Sequence, residues 1–288
     1  MIGWGVWKWS EGSGCGSAPA GGVLAGARLR FFRLHSFVER GGEREWRGVA
    51  AMVLQRREGL VVVAGRERML NVVDEMLERF SKLDTTCVSD AMDKLGVPCG
   101  LHGVKAVNAG TPVCGRAFTV HYIPRGVAGG TVGDFLDSVE PGQVIVIDNA
   151  GRDWCTVWGD IMSVTAQQMG VAGTIIDGVC RDLPTIYETR YPVYSKGSYM
   201  VTGKDRVTVD AVNVPVAISD VRVWPGDIVL ADDTGVVVVP SSMAAQVAEI
   251  AEGISTTEAA IVEAVRGGMK LADARAKYGY HTLQTKVE

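Results

Sequence analysis

No two of the chain's six cysteines (Cys15, Cys87, Cys99, Cys114, Cys155 and Cys180) form a CxxC pair. That argues against a compact zinc site or a disulfide framework and is compatible with a reducing, cytoplasmic compartment; the simplest reading is buried or half-buried free thiols. No apolar run approaches the roughly 20 residues needed to span a bilayer, so no membrane partner is expected. Charge of one sign is also missing: the formal net charge is -4, and nothing in that balance points to nucleic acid. His35, His102, His121 and His281 lack an HxxxH spacing, which speaks against a histidine-based metal site. There is no G-x-S-x-G elbow for a hydrolase. The Gly-rich stretch 126–133 is neither a P-loop nor G-x-G-x-x-G and reads as a turn.

What is present is a 288-residue chain, 47% hydrophobic and rich in glycine, as suits a globular α/β protein. Its texture changes near residue 66. Residues 1–65 are rich in Gly, Trp and Arg and hold neither a strand nor a helix period for long. This segment is expected to be a poorly ordered extension without catalytic residues. It reads as a disordered tail, an organelle-targeting segment around Arg28, Arg30 and Arg33, or translated upstream sequence before a start at Met52 or Met69.

Residues 66–288 alternate helix and strand signals. Met69, Val72, Val73, Met76, Leu77 and Phe80 share one helical face. A short helix follows at 84–96, with Thr85 or Thr86 as its cap and Gly96 as its stop. Strands are expected at 115–123, 142–150 and 171–178. The first two of these are linked by the Gly-rich turn and a helix, and the last two by a loop at 151–160 and a helix ending at Gly170. Pro184 suits the first turn of a helix at 183–190. Segments 206–218, 227–233 and 235–240 read as strands, and 241–266 and 270–278 as helices. The whole is one α/β domain with stacked β layers and flanking helices.

Ligands of such domains collect at the carboxyl ends of strands. Two adjacent strand ends here carry chemistry. The loop after 142–150 ends in Trp158-Gly159-Asp160, where a helix start offers free N–H groups to an anion. The next strand runs into Arg181-Asp182. Each residue alone has a plainer explanation: Asp160 as a carboxylate favouring its helix dipole, Arg181 and Asp182 as a surface ion pair, or Asp182 as the cap of the helix opening at Leu183-Pro184. Together they form a set of hard oxygens and a guanidinium suited to magnesium or manganese and an anion. Asp232-Asp233 could attract a cation but reads first as a hairpin turn.

The stretch GDIMSVTAQQMGVAGTIIDGVCRD (159–182) resembles the RraA-like family, whose best-known enzymes are class II 4-hydroxy-4-methyl-2-oxoglutarate / 4-carboxy-4-hydroxy-2-oxoadipate aldolases. The family signature is an Asp, twenty residues, then Arg-Asp; here residues 161–180 separate Asp160 from Arg181-Asp182. TTCVSDAMDKLG, GRAFTV and VWPGDIVLADDTGVVVVP are similar to other family segments, so the resemblance covers about residues 69–282.

That resemblance implies a swivelling β/β/α fold, trimeric or hexameric, with the site between subunits. It implies that Asp182 holds Mg2+ or Mn2+ and that Asp160 contacts the ion through water. Arg181 would contact a 2-keto acid substrate, and amides of Val157, Trp158, Gly159 and Asp160 would hold its carboxylate. A Glu from a neighbouring subunit, matched by Glu258 or else Glu263, would complete the water shell. The implied activity is metal-dependent C–C cleavage releasing pyruvate, with oxaloacetate decarboxylation through the same enolate. The main alternative is a non-catalytic relative that binds and inhibits a ribonuclease. The methyltransferase label attached to this family finds no Gly-rich turn here to support it, and a lyase acting on another 2-keto acid stays open.

Overall fold

The computed structural model describes the backbone of residues 28–40, 43–56 and 59–65, and describes residues 75–127 and 130–283 more fully. Two compact units divide at residues 75 and 76. The first contains strands β1 (Arg28–Arg40), β2 (Glu43–Arg56) and β3 (Gly59–Gly65), paired antiparallel in that order. These strands stand where composition and periodicity predict no regular element. Arg40 pairs with Glu43 at the end of the β1–β2 ladder. Residues 1–27 and 66–74 lie outside the described residues, and with them the start of the first expected helix and Cys15.

The second unit begins within α1 (residues 75–80), which α2 (Thr85–Lys94) follows. Its main sheet contains β4 (Lys105–Ala106), β5 (Val113–Pro124), β6 (Gln143–Thr156), β7 (Gly173–Cys180), β8 (Val193–Ser198), β9 (Val207–Val212), β12 (Ile228–Ala231) and β13 (Val236–Val239). The order is β13-β12-β5-β6-β7-β8-β4, with β9 branching from β5. Strands β5, β6, β7 and β8 are mutually parallel, and their connections carry a 3-10 turn at Asp134–Ser138, α3 (Asp160–Gln168) and α4 (Leu183–Thr189). A two-stranded layer, β10 (Val216–Ile218) with β11 (Val221–Val223), and helices α5 (Ala244–Arg266) and α6 (Leu271–Tyr278) complete the unit.

Period-2 alternation explains how the central strands are buried on both sides. Phe118, Val120, Ile145, Ile147 and Ile176 enter one apolar cluster together with Trp158, Ile186 and Tyr191. Their neighbours Ala117, Val144, Val146 and Ile175 enter another with Val216, Ile218, Val221 and Val223 of the small layer. A third cluster joins α2 and α5 to β12 and β13. The expected α/β architecture with stacked β layers and flanking helices is therefore present.

Several boundaries differ from the sequence reading. Helix α2 is capped by Asp84, not by Thr85 or Thr86, because extended Asp84 accepts the Cys87 N–H at 2.7 Å while Thr85 is turned onto the Asp232 carboxylate. Segment 206–218 splits into β9 and β10 around Asn213, which adopts φ +52°. The 3-10 turn replaces the expected helix after the Gly-rich stretch, whose residues 128 and 129 lie outside the described residues. Most consequentially, β6 does not stop at residue 150 but resumes and runs to Thr156. Cys87, Cys99, Cys114, Cys155 and Cys180 are free thiols, as expected. The Asp232 carboxylate closes its turn by accepting from Thr234 N at 2.8 Å. No helix among the described residues is long and apolar enough to cross a membrane.

Two expected outcomes follow from this packing. Ile176 is fully buried, so Ile176→Ala should lower the unfolding free energy by about 2–5 kcal/mol, read from urea denaturation. Burial opposes ionisation of Asp84 and Asp232, but N–H and hydroxyl donors from Cys87, Thr86, Thr85, Thr234 and Gly235 outweigh it and hold both acids below their ordinary range. Their contribution to stability is present above the unfolded carboxylate value near 3.9 and is lost as pH falls below it. Urea midpoints should therefore drop between pH 5 and pH 3, and Asp232→Asn should flatten that drop.

Candidate active site

At the carboxyl ends of β6 and β7 lies a cleft of about 240 Å³, lined by Thr156, Val157, Trp158, Gly159, Asp160 and Arg181 among others. Four of these are the loop residues and one the arginine singled out from sequence. Val132, Gly133, Ile161, Met162 and Thr202 complete the lining. Sequence reasoning missed them. Thr202 arrives through a bridge to Thr156 that only the folded sheet creates, and no local pattern announces it.

Trp158 forms the floor. Its side chain is 2% exposed, stacks on Tyr191 at 6.1 Å between ring centroids, and donates its indole N–H to Ser163 Oγ at 2.9 Å. Ser163 Oγ in turn donates to Gly159 O at 2.8 Å, locking the loop onto the first turn of α3. The Trp158 carbonyl accepts Arg181 N at 3.0 Å, which holds the two strand ends side by side.

Asp182 is the unusual member. It occupies the N-cap position of α4 in the left-handed region (φ +59°, ψ +41°), yet its side chain makes no capping bond. Only its carbonyl serves the helix, accepting from Thr185 N and Ile186 N. The carboxylate turns back instead. Asp182 Oδ2 lies 3.2 Å from Arg181 Nε and accepts Asp160 N at 3.2 Å. The capping alternative is therefore not what the side chain does. Asp160 does behave as a helix-start carboxylate, since its Oδ1 accepts Ile161 N at 2.7 Å, and it also faces the cleft. Gly159 is needed for this arrangement, because a Cβ there would collide with the Asp182 carboxylate and stand 3.2 Å from Arg181 Cγ.

Carboxylate oxygens are the donor type that a hard divalent ion prefers. Asp182 Oδ2 reaches the backbone N–H of Asp160, while the Asp160 carboxylate is turned onto Ile161 N, so the two βα junctions are joined through the Asp160 amide. Among the described residues no group of three or more His, Cys, Asp or Glu is arranged to hold a metal. Magnesium is commonly held by one or two carboxylates, with water and substrate filling the remaining positions. Glu258 is not at the cleft of its own chain; it lies on α5, 3.7 Å from Cys87 Sγ. Burial, with the nearby Asp84 and Glu258 carboxylates, pushes the Cys87 thiol up to about 12. Glu263 lies on the same helix, with its carbonyl accepting Gly267 N.

Fold and cleft together define a class: an α/β protein with a pocket lined by an acid and an arginine at the carboxyl ends of parallel strands. The RraA-like (Aldolase/RraA) family model matches residues 85–238, and the chain belongs to that family. Protein DlpA of Legionella pneumophila is 37% identical over 213 residues, 73% of this chain; the match spans only 35% of DlpA's length. A Halalkalibacterium halodurans protein provisionally named a 4-hydroxy-4-methyl-2-oxoglutarate aldolase is 31% identical over 58% of this chain and 77% of its own. Among solved structures, an uncharacterised Pseudomonas syringae protein is 42% identical with a TM-score of 0.66, covering 70% of this chain and 97% of that one. Streptomyces coelicolor RraAS2, described as an unusual member of the RNase ES inhibitor RraA family, is 29% identical with a TM-score of 0.60, over 64% and 93%.

The close approach at Gly159 yields a test. Gly159→Ala should cost about 1–3 kcal/mol of unfolding free energy, because the added methyl displaces a carboxylate tied to two donors. A urea midpoint equal to that of the unsubstituted chain would show that the corner is looser than described.

Proposed function

We propose that this chain is a divalent-metal-dependent lyase that cleaves a C–C bond of a 2-keto acid and releases pyruvate, with oxaloacetate decarboxylation as a companion activity. The observation that carries this reading is the Asp182 carboxylate, withdrawn from its own helix and held at the cleft corner beside Arg181 and Asp160. A non-glycine residue kept in a sparsely populated backbone region, at a cost of roughly 1–3 kcal/mol, is a pattern associated with functional sites.

Asp182 and Asp160 are the residues that would hold magnesium or manganese, and the bound ion would supply Lewis acidity toward the enolate charge left by bond cleavage. Arg181 does the rest of the charge work. It stays protonated, lines the cleft, and can present two N–H groups to substrate oxygens. The N-terminal turn of α3 favours a carboxylate through its dipole, as the Asp182 and Asp160 carboxylates that accept from its Asp160 and Ile161 amides already illustrate. The buried indole of Trp158 and the side chain of Met162 make one wall apolar, which excludes water and strengthens the electrostatics within. In this reading the chain works as a homotrimer or homohexamer in the cytoplasm, with Glu258 or Glu263 of α5 reaching a neighbouring subunit's cleft.

The test is pyruvate release from oxaloacetate and from 4-hydroxy-4-methyl-2-oxoglutarate with magnesium or manganese. Asp182→Ala should abolish metal-dependent turnover while the chain stays folded. Arg181→Ala should lower turnover by about 10²–10³-fold, as loss of one transition-state charge contact does. Near-normal turnover in either variant would refute the roles assigned. No turnover in the unsubstituted chain, with no metal bound, would move the reading to a ribonuclease-binding regulator.

A further inference from the structure

Beneath the loop that builds the cleft lies a row of charged residues that the proposed chemistry does not use. His121 on β5, Asp148 on β6 and Asp177 on β7 are in-register neighbours on adjacent strands, and Lys196 on β8 extends the row. The signs run plus-capable, minus, minus, plus. His121 Nδ1 lies 3.0 Å from Asp148 Oδ2, and Lys196 Nζ lies 2.5 Å from Asp177 Oδ1 as an ion pair without hydrogen-bond directionality. The two carboxylate side chains are only 12% and 7% exposed. Adjacent like charges this deep are costly, and the Lys196 ammonium together with the His121 contact offsets that cost.

Asp148↔Asp177 is the last regular pair of the β6–β7 ladder. Beyond it Arg152 faces Gly178 and Thr156 faces Val179, so residues 149–156 of β6 span what β7 covers with residues 178–179. The excess is taken up in a bulge that begins at two consecutive left-handed residues, Ala150 (φ +51°) and Gly151 (φ +65°). For alanine this conformation costs roughly 1–2 kcal/mol and needs a local partner. Asp148 is that partner: its Oδ1 accepts Ala150 N at 2.8 Å. Arg152 then anchors the resumed strand by donating to Asn149 O at 3.0 Å and Asn149 Oδ1 at 3.1 Å. Four residues later the same strand reaches Thr156 and the cleft loop.

We infer that Asp148 is a positioning residue: by holding the Ala150 N–H it fixes where β6 resumes, and so where the backbone of Val157–Asp160 stands against Arg181 and Asp182. His121 orients the Asp148 carboxylate through its other oxygen. Asp177, paired with Lys196, steadies the facing strand one residue before Gly178, where a methyl would press on Arg152 O and Asn149 Nδ2 at 3.0 Å. The consequence for ligand binding rests on the function proposed above; the backbone consequence does not.

The experiment uses the full chain and two readouts, hydrogen exchange at residues 150–161 and calorimetric binding of oxalate in the presence of Mn2+. In the unsubstituted chain the Ala150 amide should exchange slowly, and an unprotected Ala150 amide overturns the inference whatever the variants do. Asp148→Ala should speed exchange across Val157–Ile161 and weaken oxalate binding by about tenfold or more, as loss of a buried acceptor does. Asp148→Asn keeps an oxygen for Ala150 and should stay within about threefold of the unsubstituted chain in both. Exchange and affinity unchanged in Asp148→Ala, or Asp148→Asn as damaging as Asp148→Ala, would overturn it. Failure of the unsubstituted chain to bind oxalate counts against the proposed function alone, because the exchange data still judge the role of Asp148.

Discussion

One carboxylate ties the site together. Asp182 stands where a helix cap should stand, and its left-handed backbone aims the side chain away from α4 and back toward the preceding loop. There it meets the Arg181 guanidinium and the first amide of α3. Two βα junctions are thereby fastened through this oxygen, beside the backbone bond from Arg181 N to Trp158 O. The absence of a side chain at Gly159 is the steric condition for that contact.

The rest of the unit serves to bring those junctions together. Parallel pairing of β6 and β7 sets their carboxyl ends side by side, and burial of both faces leaves little freedom to slip, since a one-residue shift would exchange the two apolar clusters. Past Asp148 and Asp177 the ladder loses that regularity, and polar contacts take over from packing. Asp148 to Ala150, Arg152 to Asn149, Ser163 to Gly159 and Trp158 to Arg181 form a chain of short-range bonds from the last regular pair to the cleft. Precision at the site thus comes from hydrogen bonds, while the stability beneath it comes from Val, Ile and Phe side chains.

RraA-like relatives include proteins described both as aldolases and as ribonuclease inhibitors, so membership in the family does not by itself assign an activity. What separates the two readings here is local chemistry: whether the acids at 160 and 182 and the arginine between the strands form a working charge pocket. The described cleft brings the loop and Arg181 together, and the Asp182 carboxylate, not itself among the lining residues, contacts Arg181 and the Asp160 amide.

Much of the fold was legible along the chain because its signals are local. Apolar alternation marked β5, continuous apolar runs marked β6 and β7, Pro184 marked the first turn of α4, and Gly170 the end of α3. The placement of Asp160 and Arg181-Asp182 at two adjacent strand ends could be read in the same way, because one helix and one strand are all that intervene. The exchange of capping roles between Asp84 and Thr85, the second half of β6, and the arrival of Thr202 at the cleft were not legible. Each depends on a partner more than forty positions away or on a bulge whose geometry only the neighbouring strand defines. Sequence alone determined which residue types stand at the strand ends, since hydrophobic period and glycine placement act over a few residues. Tertiary structure decided where the Asp182 carboxylate points, because the Asp160 amide that receives it exists as a neighbour only once β6 and β7 lie side by side.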